Sequence, residues 1–132
     1  MSAYVRHVSG GRLHLQHGPI DIIARAWGSE AEINAAYGQA SSRFIGVLEE
    51  IVADLAVLRR PLDDATPLVR GAVPRRMVAA ALPFADRFVT PMAAVAGAVA
   101  DEVLAAMTAG RDLERAYVND GGDIAIHLTP GL

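Results

Sequence analysis

Short alternations of apolar and polar residues open the chain. Tyr4 to Val8 and Arg12 to Gln16 alternate with period two, and Ser9-Gly10-Gly11 between them has hairpin-turn chemistry. After Gly18-Pro19, Ile20 to Ala26 predicts a third strand. Its residues Ile20, Ile22 and Ala24 share one face, and Asp21, Ile23 and Arg25 share the other. The period then changes. Ser29 and Glu32 have capping-box spacing at a helix start. Phe44, Leu48, Ile51, Leu55 and Leu58 recur every three or four residues and form one helical stripe, with Glu49, Glu50 and Asp54 off it. Pro61 ends this helix near Arg60, and Gly38 with Ser41-Ser42 places a bend in its early part.

Residues 61–73 are rich in turn-makers and form the best candidate for a mobile loop. Pro74 suits the first position of a short helix over Arg75 to Leu82, which Pro83 ends. Thr90-Pro91 predicts the start of a longer helix, with Thr90 as the cap, running to about Ala109, where Gly110 supplies a left-handed terminator. Alanines crowd its first turns. Gly97 among them costs roughly 1 kcal/mol relative to alanine, so close packing by another backbone or a flat ligand is expected there. Arg115 to Val118 and Asp123 to Leu128 read as two last strands. With about five strands and three helices, the chain is expected to be one α+β domain over residues 1–132. It should carry a mixed or antiparallel sheet with helices packed on one face.

Bulk properties narrow the function classes. Hydrophobic residues make up 52% of the 132, which is enough for a real core. A net charge of −3 argues against nucleic acid as a partner, because phosphate binding needs a basic surface. The absence of cysteine excludes disulfides, thiolate metal sites and thiol nucleophiles, and fits a cytoplasmic location. The run PMAAVAGAVADEVLAAM carries Asp101 and Glu102 in its middle, so no membrane span is expected.

Candidate chemistry gathers near the end of the chain. Asn119-Asp120-Gly121-Gly122-Asp123 has two readings. It is a hairpin turn whose residues accept positive φ, or it is a bare-backbone surface where Gly121 and Gly122 approach a phosphate or ring edge and Asn119 and Asp123 orient a ligand. Thr90 opens a helix whose free N–H groups favour an anion, although every helix has such an end. His14 and His17 are three apart in a strand and face opposite sides, so they share no metal. Asp63-Asp64 reads as solvated. Of Asp101 and Glu102, one is expected to reach solvent and the other a site.

The runs FVTPMAAVAGAVADEVLAAM (88–107) and RAYVNDGGDIAIHL (115–128) carry a family resemblance. The chain resembles a bacterial and archaeal family of uncharacterised proteins related to ApbE, the FAD:protein FMN transferase. That family has a Pro-Met-Ala-x-Val-Ala-Gly helix followed by an Asn-x-Gly-Gly-Asp hairpin. The stretches GPIDIIARA and RRMVAAA also fall where the family places them. The resemblance implies a T-fold-like half binding FAD or a related heterocycle, with Thr90, Gly97, Asp101, Asn119, Gly121, Gly122 and Asp123 around the cofactor. Ala96 stands where ApbE has lysine, a departure that bears on transferase chemistry. Family members run about twice this length. The resemblance therefore implies an N-terminal half, with ligands for a cation such as Mg outside this chain and no metal site within it. It also implies a sheet edge near the last residues that recruits a second copy or the other half. Two other readings stay open: a non-catalytic assembly module, and an enzyme acting on a pterin-like or phosphorylated ligand.

Overall fold

The computed structural model describes residues 2–63 and 67–131. Five strands, β1 (Tyr4–Val8), β2 (Arg12–His17), β3 (Ile20–Gly28), β4 (Leu113–Asp120) and β5 (Asp123–Leu128), form one sheet in sequence order. Every neighbouring pair is antiparallel. Between β3 and β4 the chain leaves the sheet and builds a helical layer: α1 (Glu30–Phe44), α2 (Val47–Ala53), α3 (Leu55–Leu58), α4 (Ala72–Ala81) and α5 (Val95–Thr108). The architecture is α+β.

The core lies between the helices and one face of the sheet. Leu13 and Leu15 of β2, Ile22 and Ala24 of β3, and Ala116 and Val118 of β4 turn inward. They meet Ala36, Phe44, Met77, Val99, Val103 and Met107 from the helices. Among the described residues no helix covers the other sheet face, so the alternate residues of each strand remain partly or fully exposed. Tyr37 on α1 ties the layers at the point where β2 begins. Its hydroxyl donates to the Gly11 carbonyl at 2.6 Å and accepts from the Ala26 N–H at 3.0 Å.

The expected long helix from Ser29 is broken into three. Ser29 does cap α1, accepting from the Glu32 N–H. Glu32 does not complete the reciprocal box; it reaches the Asp112 N–H and Arg111 instead. The break falls at Ile45-Gly46, not at the earlier glycine and serines, because Phe44 and Val47 are both fully buried and the chain must turn between them. α4 begins at Ala72, so Pro74 sits inside its first turn rather than at its first position. The expected mobile loop at 61–73 is pinned at Leu62, whose N–H bonds the Val89 carbonyl; Asp64 lies outside the described residues.

A polar hub joins four helices. Arg43 of α1 contacts Glu50 of α2 at 2.5 Å and Glu102 of α5 at 2.9 Å, and Arg76 of α4 contacts Glu102 at 3.0 Å. Glu50 also accepts from the Val73 N–H at the start of α4. Gly71 has to be glycine for this contact, since an added Cβ would collide with the Glu50 side chain. Burial alone would raise the Glu102 carboxyl. Hydrogen bonds from Arg43 and Arg76 outweigh it and hold the group below its ordinary range. A depressed carboxylate stabilises the fold above its unfolded pKa, and the contribution disappears as pH falls through the folded value. Glu102→Gln is therefore expected to cost about 1–2 kcal/mol at neutral pH. The difference from wild type should shrink toward acid, as measured by urea unfolding across pH.

Candidate functional site

Strand alternation decides where each candidate residue goes. In β4, Ala116 and Val118 point to the helices, so Asp120 does too, while Tyr117 and Asn119 point to the open face. The expected strand over 115–118 extends to Asp120, and the loop shrinks to Gly121-Gly122. Both glycines have positive φ, 61° and 104°, as a two-residue type I′ hairpin requires. The Asn119 side-chain oxygen accepts the Gly122 N–H at 2.9 Å, so the turn satisfies one of its own bare-backbone donors.

Asp120 enters a hollow of about 430 Å³ under that turn. The walls are apolar: Ile20 from β3, Leu48, Ile51 and Leu55 from α2 and α3, and Met92, Val95 and Ala96 from the start of the last helical segment. Arg59 stands at the rim and is the basic group of the lining, as Asp120 is its acidic one. The Asp120 carboxyl is half-buried. Burial, then repulsion from Asp123 and Asp21, pushes it up to about 6. A volume of several hundred Å³, apolar walls and a few convergent polar groups are the ordinary anatomy of a small-molecule site.

The hairpin and the amino end of the last helix thus share a hollow, but through different residues from those expected. Ala96 and Asp120 line it, whereas Thr90, Gly97, Asp101, Asn119, Gly121, Gly122 and Asp123 are not among its walls. Thr90 is extended and makes no side-chain cap. Pro91 opens a 3₁₀ turn, Pro91–Ala94, and the α-helix proper starts at Val95. No close packing surrounds Gly97; a Cβ there would meet nothing within 4 Å. Asp101 is exposed, and it is Glu102 that reaches inward, to the arginine hub rather than to the hollow. Gly121, Gly122 and Asp123 are exposed at the turn. His14 and His17 do face opposite sides, with His17 buried under the sheet and His14 on the open face 2.6 Å from Asp21. Among the described residues, no group of three or more His, Asp or Glu side chains is placed to hold a metal ion.

Asp120 is the residue that sequence reasoning passed over. The signal was parity: counting in twos from the apolar Val118 puts Asp120 on the buried side. The open face has its own shallow cleft of about 420 Å³, lined by Trp27, Arg115, Tyr117, Asn119, Ile124 and Ile126 among others. The Arg25 and Arg115 guanidiniums each lie 4.3 Å from the Trp27 ring centroid.

Comparison with known proteins finds a family match. The model of a family described as AbpE bacteria covers residues 5–132. No curated protein and no solved structure matches the chain.

The raised Asp120 carboxyl carries a pH signature of definite sign. A folded pKa above the unfolded one means the native state holds the extra proton, so stability falls as pH rises from about 4 through about 6. Asp120→Asn is expected to raise stability at pH 7 by about 1 kcal/mol, after allowance for solvent screening of a half-exposed group. The gain should vanish by pH 4. Thermal melts of both proteins at the two pH values check it.

Proposed function

The chain belongs to the AbpE bacteria family, and from that premise we propose that it binds a small planar heterocycle with an anionic tail in the hollow beneath the β4–β5 turn. A flavin mononucleotide is the best-fitting chemistry. The observation that carries this reading is the placement of one acid, Asp120, and one rim cation, Arg59, on otherwise apolar walls.

The division of labour follows from the residue types. Ile51, Leu55, Met92 and Val95 offer flat aliphatic surface to the two faces of a ring. Asp120, with its carboxyl pushed up to about 6, can accept from a ring N–H at neutral pH and can donate to a ring nitrogen or carbonyl once protonated in mild acid. Arg59 can neutralise a phosphate at the mouth. Ala96 leaves the space that a larger side chain would fill. The hollow suits the ring of a flavin and a single phosphate arm. Thr90, Gly97, Asp101, Asn119, Gly121, Gly122 and Asp123, which the ApbE resemblance nominated around the cofactor, do not line the hollow, so FMN rather than the whole of FAD is the proposed occupant.

Riboflavin, FMN and FAD should be compared by thermal shift and flavin fluorescence. At roughly 100-fold excess over Kd, FMN is expected to add about 2.7 kcal/mol of stability. Ala96→Phe, which fills the hollow, should abolish that gain. Asn119→Ala should leave flavin affinity unchanged while lowering stability by about 1 kcal/mol through the lost turn bond. No shift with any of the three flavins, or an Ala96→Phe protein that binds as wild type does, would overturn the reading.

A further inference from the structure

The two edges of the sheet are built differently. β1 presents Arg6 and His7 in the middle of its edge, and Arg6 lies over the Tyr4 ring. A charge at the centre of an edge strand is a standard barrier to pairing with another chain. β5 has no such guard. Ile124, Ile126 and Leu128 are 57%, 65% and 59% exposed, and among the described residues no strand lies against its outer edge. Its charged or titratable members, Asp123 and His127, lie at or near the ends and point to the other face.

Hydrogen-bond parity sharpens the contrast. The two-residue turn makes Asp120 and Asp123 the closing pair of the hairpin, so Asp123, Ala125 and His127 direct their backbone groups to β4. Ile124, Ile126 and Leu128 then direct their N–H and C=O groups to the free edge. The same residues that leave aliphatic side chains exposed also leave backbone donors and acceptors unpaired by the sheet.

We propose that β5 pairs antiparallel with β5 of a second copy of this chain, about a two-fold axis at Ile126. In that register Ile126 faces its own counterpart, Ile124 faces Leu128, and Ala125 faces His127. Every edge-facing N–H and C=O of the three aliphatic residues gains a partner, aliphatic side chains meet across the open face, and no like charges are opposed. Registers shifted by two residues either way fit worse. One brings Gly122 of the turn into the ladder, and the other brings in Pro130, which has no N–H to give. The joined sheets form a continuous ten-stranded surface, and the second copy's aliphatic row walls the cleft beside Tyr117 and Trp27. This inference is independent of the flavin reading, because the hollow lies on the opposite side of the sheet.

Multi-angle light scattering on the purified chain is expected to give twice the 13.9 kDa monomer mass. Ile126→Lys, which opposes two ammonium groups at the axis, should give a monomer whose melting temperature no longer depends on concentration. Ile126→Pro removes a donor at the free edge while sparing the β4 ladder, and should also give a monomer. Circular dichroism confirms that each variant is folded. Hydrogen exchange supplies a readout at the strand itself: the amides of Ile124, Ile126 and Leu128 should be protected in wild type and exposed in Ile126→Lys. A wild-type monomer, a dimer that survives Ile126→Lys, or a dimer that leaves those three amides unprotected would each overturn the proposal.

Discussion

A sheet covered on one face only is the constraint behind most of what this molecule does. Each strand has period two, so the covered face takes one set of residues and the open face the other. Leu13, Leu15, Ile22, Ala24, Ala116 and Val118 go under the helices. The other face holds Trp27, Tyr117, Ile124, Ile126 and Leu128 in water, with arginines between them. Packing a guanidinium against Trp27 lets part of that apolar surface stay exposed without a covering layer. The rule that sends Asn119 outward also sends Asp120 inward, and one turn serves two surfaces with different chemistry.

The helical layer is held by a second device. Four helices of modest length meet through Arg43, Glu50, Arg76 and Glu102 rather than through apolar contact alone. Such a hub adds little net stability, because desolvation offsets much of the attraction. It does fix direction. Glu50 holds the first turn of α4 through the Val73 N–H, and Glu102 sets the rotation of α5 against α1 and α4. With α5 so rotated, Val95 and Ala96 face Asp120 across the hollow while Asp101 faces solvent. The geometry of the candidate site is thus set partly by ion pairs that do not touch it.

Hollow and edge place opposite demands on the last hairpin. Under the turn, a half-buried acid is tolerated because the site is small and the carboxyl can take up a proton. Along β5, exposed aliphatic residues are tolerated only if something meets them or if the strand stays short. The proposed second copy would satisfy the edge without disturbing the hollow. The hydrogen-bond parity of β5 picks out the row of backbone groups that the proposed second copy would meet.

Local chemistry was legible along the chain. The five strands, the Ser29 cap, the turn at Gly121-Gly122 and the left-handed Gly110 (φ 67°) follow from propensity, capping and backbone sterics, which act over a few residues. The one-sided packing of helices on the sheet also followed, from the order of the elements. What the sequence could not decide was which members of the NDGGD motif share a space with the last helix. That depends on parity counted from a buried strand residue and on the rotation of α5, which the distant partners Arg43 and Arg76 fix. The expected packing at Gly97 failed for the same reason: alanine-rich composition says a close approach is permitted, and only the tertiary arrangement says on which side of the helix it occurs. Periodicity gave this chain its elements, and contacts between residues far apart in sequence gave it its hollow.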